Sequence, residues 1–215
     1  MASVLTVNTA TSPLDLGSRR SGIAKRPSAE PLTVRAPGPR RGGLGSGVVG
    51  DSVCDRKHHG GDDQAVYAYA REDLDRWATD LDRDLTNGMF GENLTTAGID
   101  LTACLIGERW TVGDSGLVLE VTSPRTPCQT FVTWLGIPGW IKTFTAAGLP
   151  GAYFRVIEPG TVGAGDHIEV IDRPDHTVTV GTVFRALMGE RALLPTLAAA
   201  DALPEKIKEQ VAKAC

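Results

Sequence analysis

Residues 110–128 read WTVGDSGLVLEVTSPRTPC and give the clearest indication of fold in the chain. The segments 110–112 and 117–122 are rich in apolar and β-branched side chains, which favours two strands. Gly113-Asp114-Ser115-Gly116 between them is typical of a turn. The second strand runs into a loop with two prolines that ends at Cys128. Because proline restricts the backbone, this loop is predicted to aim the thiol in one direction.

Further short strands are predicted on both sides of this stretch. They lie at residues 4–8, 65–69, 153–157, 167–171 and 177–180, with another near residues 32–35. Many short strands separated by turns are typical of a β-barrel or a sandwich. The strand pattern therefore predicts a mainly β (α+β) fold and leaves these two architectures open.

Helices are predicted in three places. Leu74, Trp77, Leu81 and Leu85 recur at helical spacing, so a helix is expected over residues 71–85, ended by Asn87-Gly88. Residues 130–147 are expected to include a short helix. Segments 182–188, 190–200 and 204–214 predict a small C-terminal helical extension, which presents an apolar stripe but no catalytic signature of its own.

Composition excludes several classes of protein. The chain has 215 residues, 41% hydrophobic residues and a net charge of −4, which rules out a wholly disordered or fibrous chain. No apolar run approaches the roughly 20 residues that span a bilayer, and the N-terminus does not resemble a secretory signal. We therefore expect a soluble, cytoplasmic protein with free cysteines. The absence of a CxxC pair argues against a zinc site built from cysteines.

Positive charge is concentrated near the N-terminus. Residues 1–61 hold nine basic and four acidic residues, whereas residues 62–215 hold 13 and 22. Clustered positive charge suits an anion site, and a solvated, loop-rich segment explains it equally well. Nucleic acid is a poorer interpretation, because the basic residues are not interleaved with aromatic ones.

Cys128 is the strongest candidate for chemistry. Arg125 nearby favours the thiolate, which is the form that attacks electrophiles and binds metals. The alternative is a buried structural cysteine. Cys104 lies between Ala103 and Leu105 and is predicted to be core, and Cys215 is given little functional weight.

Two polar segments are further candidates. In Lys57-His58-His59-Gly60-Gly61 the adjacent histidines point to opposite sides, so they do not readily share a metal. Gly60 and Gly61 permit positive φ, and their backbone N–H groups would suit an anion. The segment 90–96 presents Glu92, Asn93 and Thr95 in a loop opened by Gly91. Ordinary structural turns explain both segments as well.

Taken in order along the chain, these pieces resemble the MOSC domain family, named for the C-terminal domain of molybdenum-cofactor sulfurase. Within it, the chain looks most like the small stand-alone YiiM-type proteins of bacteria. The resemblance covers about residues 20–181. The matching pieces are Ser21-Gly22-Ile23-Ala24-Lys25-Arg26-Pro27, Gly50-Asp51 with Asp55, His59-Gly60-Gly61 through Asp63 to Val66-Tyr67, Phe90-Gly91-Glu92-Asn93-Leu94, Pro124-Arg125 with Pro127-Cys128, and Val162 to Asp166.

The resemblance implies a β-barrel-like domain that binds the molybdenum cofactor. It divides the chain into a lead-in (1–20), a MOSC domain (21–181) and the helical extension (182–215). Cys128 matches the family cysteine that ligates molybdenum or carries sulfur. The expected cofactor-binding residues are Lys25, Arg56, His59, Gly60, Gly61, Asn93, Thr95 and Arg125. Val53-Cys54-Asp55 departs from the family pattern, which often has Gln-Ala before Asp, and places a second cysteine near the site.

Two functions compete at this point. Relatives of the YiiM type reduce N-hydroxylated bases such as hydroxylaminopurines, so the first is a molybdenum reductase that receives electrons from a separate donor protein. The second is a non-catalytic carrier of sulfur or cofactor that serves other enzymes. Fused relatives carry a pyridoxal-phosphate domain, for which this chain has no matching motif. A purely structural protein is a third reading. No nucleic acid or membrane partner is expected, and the oligomeric state is left open, a homodimer included.

Overall fold

The computed structural model describes residues 1–17 and 19–213; Cys215 and the end of the last predicted helix lie outside these ranges. The strands are β1 (Ser3–Thr9), β2 (Leu14–Asp15), β3 (Arg20–Ser21), β4 (Arg26–Pro27), β5 (Leu32–Val34), β6 (Val66–Ala70), β7 (Leu94–Ala97), β8 (Arg109–Val112), β9 (Leu117–Pro124), β10 (Ala152–Glu158), β11 (Gly160–Val162) and β12 (Ile168–Asp172). The α-helices are α1 (Arg71–Leu81), α2 (Gln129–Leu135), α3 (Trp140–Ala147), α4 (Val180–Leu187) and α5 (Glu205–Ala212). Two 3₁₀ helices span Asp62–Gln64 and Arg191–Ala199.

One large sheet organises the molecule. Its strand order is β12-β8-β9-β10-β6-β7-β1-β4, and only β6 and β7 pair in parallel. The residues that lead into β12 then return to β1: the Val4 N–H donates to the Asp166 carbonyl at 2.8 Å, and Ser3 bridges His167. This contact closes the sheet on itself, so the predicted barrel-like α+β fold is confirmed.

The barrel interior and the C-terminal helices share one core. Trp110 and Phe154 pack with ring centroids 4.6 Å apart inside the barrel. Leu197, Ile207 and Val211 from the extension belong to the same buried cluster. The predicted division at residue 181 stays a prediction, but the apolar core is continuous across that position.

A second, aromatic core lies under the helices. It gathers buried rings from β6, α1, the loop before β7, α2, α3 and α4, namely Tyr67, Tyr69, Trp77, Phe90, Phe131, Trp140, Phe144 and Phe184. Phe131 stands edge-on to Phe90 at 5.0 Å. This core holds α2 beside the barrel and so determines where the residues before α2 lie.

Three predicted elements differ from the structure. The helix over residues 71–85 ends at Leu81, because Asp82 adopts a left-handed conformation with φ of 46°. Residues 177–180 form only an isolated bridge to Leu105, since Thr179 caps α4 by accepting a hydrogen bond from the Thr182 N–H. The segment 94–97, expected to belong to a loop, is strand β7.

The part of the chain that the structure describes contains no helix both long and apolar enough to cross a bilayer.

Candidate functional site: a cleft at the Cys128 thiol

A cleft of about 610 Å³ opens beside Cys128. Most of its lining comes from four parts of the chain: residues 19–25, residues 51–60, the region around Gly91 and Asn93, and residues 125–130. Tyr67 on β6 and Tyr153 on β10 form part of its surface. These segments lie far apart in the sequence, and sequence analysis identified several of them independently as candidates. In the folded chain they meet at one cleft.

Cys128 is half-buried and lies between β9 and α2. Its carbonyl accepts hydrogen bonds from the Phe131 and Val132 N–H groups at 3.0 and 3.2 Å, which anchors the residue at the start of α2. Burial alone would raise the pKa of the thiol, but its interaction with the neighbouring His59 and the charge of Arg125 outweigh burial and lower the pKa from 9.0 to about 6. A large fraction of this thiol is therefore ionised at neutral pH.

Arg125 supplies a positive charge in the wall of the cleft. It is 7% exposed, and its guanidinium donates a hydrogen bond to the Phe90 carbonyl. Its Cζ atom lies 4.0 Å from the centroid of the Phe131 ring and 5.2 Å from that of Tyr67. No carboxylate among residues 1–17 and 19–213 forms an ion pair with it. Such a cation favours a neighbouring anion, which the Cys128 thiolate provides.

Two tyrosines line the cleft next to the thiol. The rings of Tyr67 and Tyr153 lie 4.9 Å apart. The Tyr67 hydroxyl donates to the Pro150 carbonyl at 2.8 Å. Burial raises the pKa of both phenols, so each keeps its proton at neutral pH. Sequence analysis did not identify them as site residues, because an aromatic side chain within a predicted strand is usually part of the core.

Lys25 reaches the cleft but is already paired. Its ammonium group binds both carboxylate oxygens of Asp51, whose side chain is 1% exposed. The Asp51 carboxylate also accepts hydrogen bonds from Ser46, Asn93 and the Ala10 N–H at 2.9, 3.0 and 3.0 Å. Much of the Lys25 charge is thus neutralised locally, and its expected role in binding the cofactor stays a prediction.

The Gly60-Gly61 turn has the positive φ that the sequence predicts, 79° at both residues. Its environment differs from the prediction of exposed N–H groups, because the Gly61 N–H donates to the Gly45 carbonyl at 2.9 Å. A Cβ on Gly60 would lie 2.6 Å from that carbonyl oxygen. The turn therefore packs tightly against the loop at Gly45, and this packing holds His59 beside Cys128.

The other predicted residues are placed differently. Asn93 lines the cleft, while its side-chain oxygen accepts the Tyr67 N–H at 3.2 Å. Thr95 is buried behind the cleft and donates to the Glu92 carboxylate at 3.0 Å. Arg56 is exposed and donates to the Gly43 carbonyl at 3.0 Å. The described residues that line the cleft include Gly60 but leave out Gly61, Thr95 and Arg56.

Gln64 is a further site residue that the sequence did not single out. It lies in the 3₁₀ helix after the glycine turn and lines the cleft. Its side-chain oxygen is buried and has no hydrogen-bond partner within residues 1–17 and 19–213. An unpaired buried acceptor calls for a donor, and a ligand with N–H groups would supply one. A polar residue in a short turn gives no such indication from sequence alone.

The donor set around the thiol is small. Cys54 is exposed and lines the same cleft, whereas Cys104 is buried and burial raises its pKa. Within the described ranges, histidine, cysteine, aspartate and glutamate form no group of three or more that could hold a bare metal ion. A metal at Cys128 would therefore arrive with ligands of its own, as the metal of an organic cofactor does. The soft thiolate, the buried Gln64 acceptor and the volume of the cleft fit such a group.

Comparisons with known proteins agree with this geometry. Residues 55–169 match the MOSC domain. The chain is 32% identical over 160 residues to the uncharacterized protein YflK of Bacillus subtilis (strain 168), covering 74% of this chain and 67% of that protein. It is 31% identical over 162 residues to a protein of Gibberella moniliformis named reductase, covering 74% of this chain but 28% of that one.

Among solved structures, YiiM from Geobacillus stearothermophilus matches with a TM-score of 0.79 and 24% sequence identity. The match covers 100% of this chain and 99% of that one, so the two share their fold over the whole length.

Proposed function

The chain belongs to the MOSC domain family, which is associated with the molybdenum cofactor, and we propose that it is a reductase of N-hydroxylated compounds with Cys128 as the molybdenum ligand. Its sequence is similar to that of Protein YiiM of Escherichia coli (strain K12), and its fold is that of YiiM from Geobacillus stearothermophilus. The reductase of Gibberella moniliformis, similar over 74% of this chain, supports the choice of reaction class.

The observation that carries the proposal is the position of the Cys128 thiol in the cleft wall beside His59 and Arg125, a setting that lowers its pKa to about 6. A thiol that ionises below neutral pH is a ready ligand, and thiolate is the soft donor that suits such a metal better than oxygen. His59 and Arg125 keep the thiol ionised, and Gln64 offers an acceptor to the organic part of the group. When bound, the molybdenum would supply two-electron redox chemistry at this end of the cleft.

The reaction requires electrons and protons in equal number. An N-hydroxylated amine takes up two electrons and two protons, its N–O bond breaks, and the amine and water leave. Tyr153 lies in the cleft wall with its proton retained, so it can hold a proton near the departing oxygen. The electrons come from a separate donor protein, as the absence of flavin, haem and iron–sulfur motifs in the sequence suggests.

One alternative rests on the same thiol. A cysteine activated by a histidine is also a nucleophile, so Cys128 could carry sulfur as a persulfide for other enzymes. A carrier of this kind needs no metal and reduces no substrate. Metal content after expression in a host that makes the cofactor therefore separates the two functions.

The test compares Cys128→Ser with the wild type. The substitution changes little volume, so we expect the fold to persist. Molybdenum per protein and the rate of hydroxylaminopurine reduction should both fall to background, since a serine hydroxyl is rarely ionised near neutral pH. Cys54→Ala, Cys104→Ala and Cys215→Ala are the controls and should retain most of both. A Cys128→Ser protein as metallated and active as the wild type contradicts the proposal, and loss in Cys54→Ala alone would identify a different thiol.

A further inference from the structure

Two cysteine thiols, those of Cys54 and Cys128, line the same cleft. Both are free, with Cys54 exposed and Cys128 half-buried. Cys104 is different, because it is 4% exposed, does not line the cleft, and its thiol donates to the Asp100 carbonyl at 3.3 Å. The reduction proposed above makes no use of Cys54, so a second reactive side chain in the cleft wall is left without a role.

The chain after Cys54 turns back toward Cys128. The N–H groups of His58 and His59 donate to the Asp55 carbonyl at 3.2 and 3.0 Å, which forms a tight turn directly after Cys54. His59, at the end of this turn, lies beside the Cys128 thiol and lines the cleft with it. One turn of backbone and one imidazole therefore connect the two cysteines.

The segment that carries Cys54 packs little against the barrel. Residues 54–58 are exposed, and within the described ranges the backbone hydrogen bonds of residues 54–59 stay inside this segment. The Arg56 guanidinium adds a bond to the Gly43 carbonyl at 3.0 Å. A segment with few contacts to the core opens at low free-energy cost. It can therefore bring the two Cα atoms to the separation of roughly 4.4–6.8 Å that a disulfide needs.

Two thiols in one open cleft have a defined reaction with hydrogen peroxide. The peroxide O–O bond breaks as one thiol is oxidised to a sulfenic acid, and one water leaves. The second thiol attacks the sulfenic sulfur, so an S–S bond forms, the S–O bond breaks and a second water leaves. In total, two thiols lose two electrons and two protons, and one peroxide is reduced to two waters. A thiol with no partner instead proceeds to the sulfinic acid, which is irreversible for most proteins.

We infer that Cys54 is a resolving cysteine for Cys128, and that peroxide joins the two in a disulfide that a dithiol reductant reopens. The disulfide removes the Cys128 sulfur from use as a ligand and protects it from irreversible oxidation. Formation of the disulfide does not depend on the proposed reductase function; only its consequence for metal binding does.

Peptide mapping of the cofactor-free protein tests the bond itself. Cys215→Ser serves as the background, and trypsin separates Cys54 from Cys128 because several arginines lie between them. After treatment with hydrogen peroxide, mass spectrometry should find the two peptides linked, and dithiothreitol should separate them. Cys104 should stay unlinked, since it is buried. Absence of the Cys54–Cys128 peptide overturns the inference.

The protective role needs a second measurement. After peroxide and then dithiothreitol, nearly all Cys128 should again react with iodoacetamide in the background protein. In Cys54→Ser the sulfinic acid at Cys128 should be about tenfold more abundant, because nothing resolves the sulfenic acid. Equal recovery in the two proteins contradicts the protective role.

A relocated thiol provides the matched control. Arg56 is exposed in the same segment but does not line the cleft. The double variant Cys54→Ser, Arg56→Cys therefore keeps a thiol nearby and should behave like Cys54→Ser. Full protection by the relocated thiol would show that any neighbouring cysteine suffices and would overturn a specific role for Cys54.

Molybdenum content separates this inference from the proposed function. In protein loaded with molybdenum the Cys128 sulfur is engaged, so the linked peptide should be much less abundant than in the cofactor-free protein. A linked peptide in protein that retains no molybdenum under any condition supports the inference and overturns the proposed function alone. Retained molybdenum with no linked peptide after removal of the metal overturns the inference alone.

Discussion

The Cys128 thiol lies in a half-buried position where burial by itself would raise its pKa. Two neighbours reverse that effect: His59, held by the glycine turn, and Arg125, three residues upstream. Arg125 is kept close to the thiol by its hydrogen bond to Phe90 and by the Phe131 ring. The ionisation of one side chain thus depends on the packing of the turn and of the aromatic core.

The pH dependence of thiol modification measures this ionisation. Lowering the pKa favours the deprotonated form, so alkylation of Cys128 should rise through a midpoint near pH 6 and level off above it. An ordinary thiol would continue to gain reactivity up to about pH 8.5. Iodoacetamide labelling, followed by mass spectrometry in a Cys54→Ala, Cys215→Ala background, gives the profile.

His59→Ala should move this midpoint upward, since it removes the imidazole whose interaction with the thiol lowers the pKa. The adjacent His58 pairs with Asp55 at 2.9 Å, so His58→Ala is a matched control that should leave the profile unchanged. A wild-type midpoint near 8.5, or equal effects of the two substitutions, would contradict the assigned His59–Cys128 contact.

Residues of the site differ in how far the sequence predicts them. Cys128 and Arg125 are predictable because prolines and a preceding strand give them a recognisable local setting. Gln64, Tyr67 and Tyr153 are not, because their role depends on strands and turns that meet only in the folded chain. Arg56 was selected for its charge; in the fold its guanidinium donates to the Gly43 carbonyl, and its role in cofactor binding stays a prediction.

At the scale of elements, Asp51 joins segments that have no local connection. Its carboxylate binds Lys25 after β3, Ser46 in the glycine-rich loop, Asn93 before β7 and the Ala10 N–H after β1. Sequence alone predicts several of these elements from their apolar pattern. It does not predict the contacts of Asp51, because Lys25 and Asp51 lie 26 residues apart and such a pair produces no periodic pattern in the sequence.

Removing Lys25 should show how much the hydrogen-bond network around Asp51 contributes to stability. Lys25→Ala would leave the buried Asp51 carboxylate without its cation, which typically costs about 3–5 kcal/mol of the free energy of unfolding. The double variant Lys25→Met, Asp51→Asn removes both charges and should recover much of the loss. Urea unfolding of the three proteins provides the values, and a stable Lys25→Ala protein would show that the pair is dispensable.

At the scale of the whole molecule, the extension and the barrel form one unit. Leu197 is fully buried in the core that contains the barrel strands, and Leu203, Ile207 and Val211 join it there. The sequence correctly predicts helices in this region and an apolar stripe that must pack. It does not predict the surface on which the stripe packs, because that surface is formed by distant strands.

Leu197→Ala tests whether the extension and the barrel unfold together. A cavity at a fully buried leucine typically costs about 2–5 kcal/mol, and we expect the melting temperature of the entire protein to fall in a single transition. Far-ultraviolet circular dichroism and tryptophan fluorescence should report the same midpoint. The exposed Arg191→Ala serves as the control. An early, separate transition for the helices with the barrel unaffected would show two independent units.

The closure of the barrel through β1 also affects how the protein folds during its synthesis on the ribosome. The end of β1, at Asn8 and Thr9, pairs with the nearby strand β4, but the rest of β1 pairs with β7 on one edge and with residues 165–168 on the other. The β7 partner is therefore translated almost 90 residues later, and residues 165–168 some 70 residues after that. Until then the nascent chain carries a strand with open edges, the kind of surface on which chains aggregate. The barrel can close only after residues 165–168 have been made, so one edge of β1 stays open during most of translation.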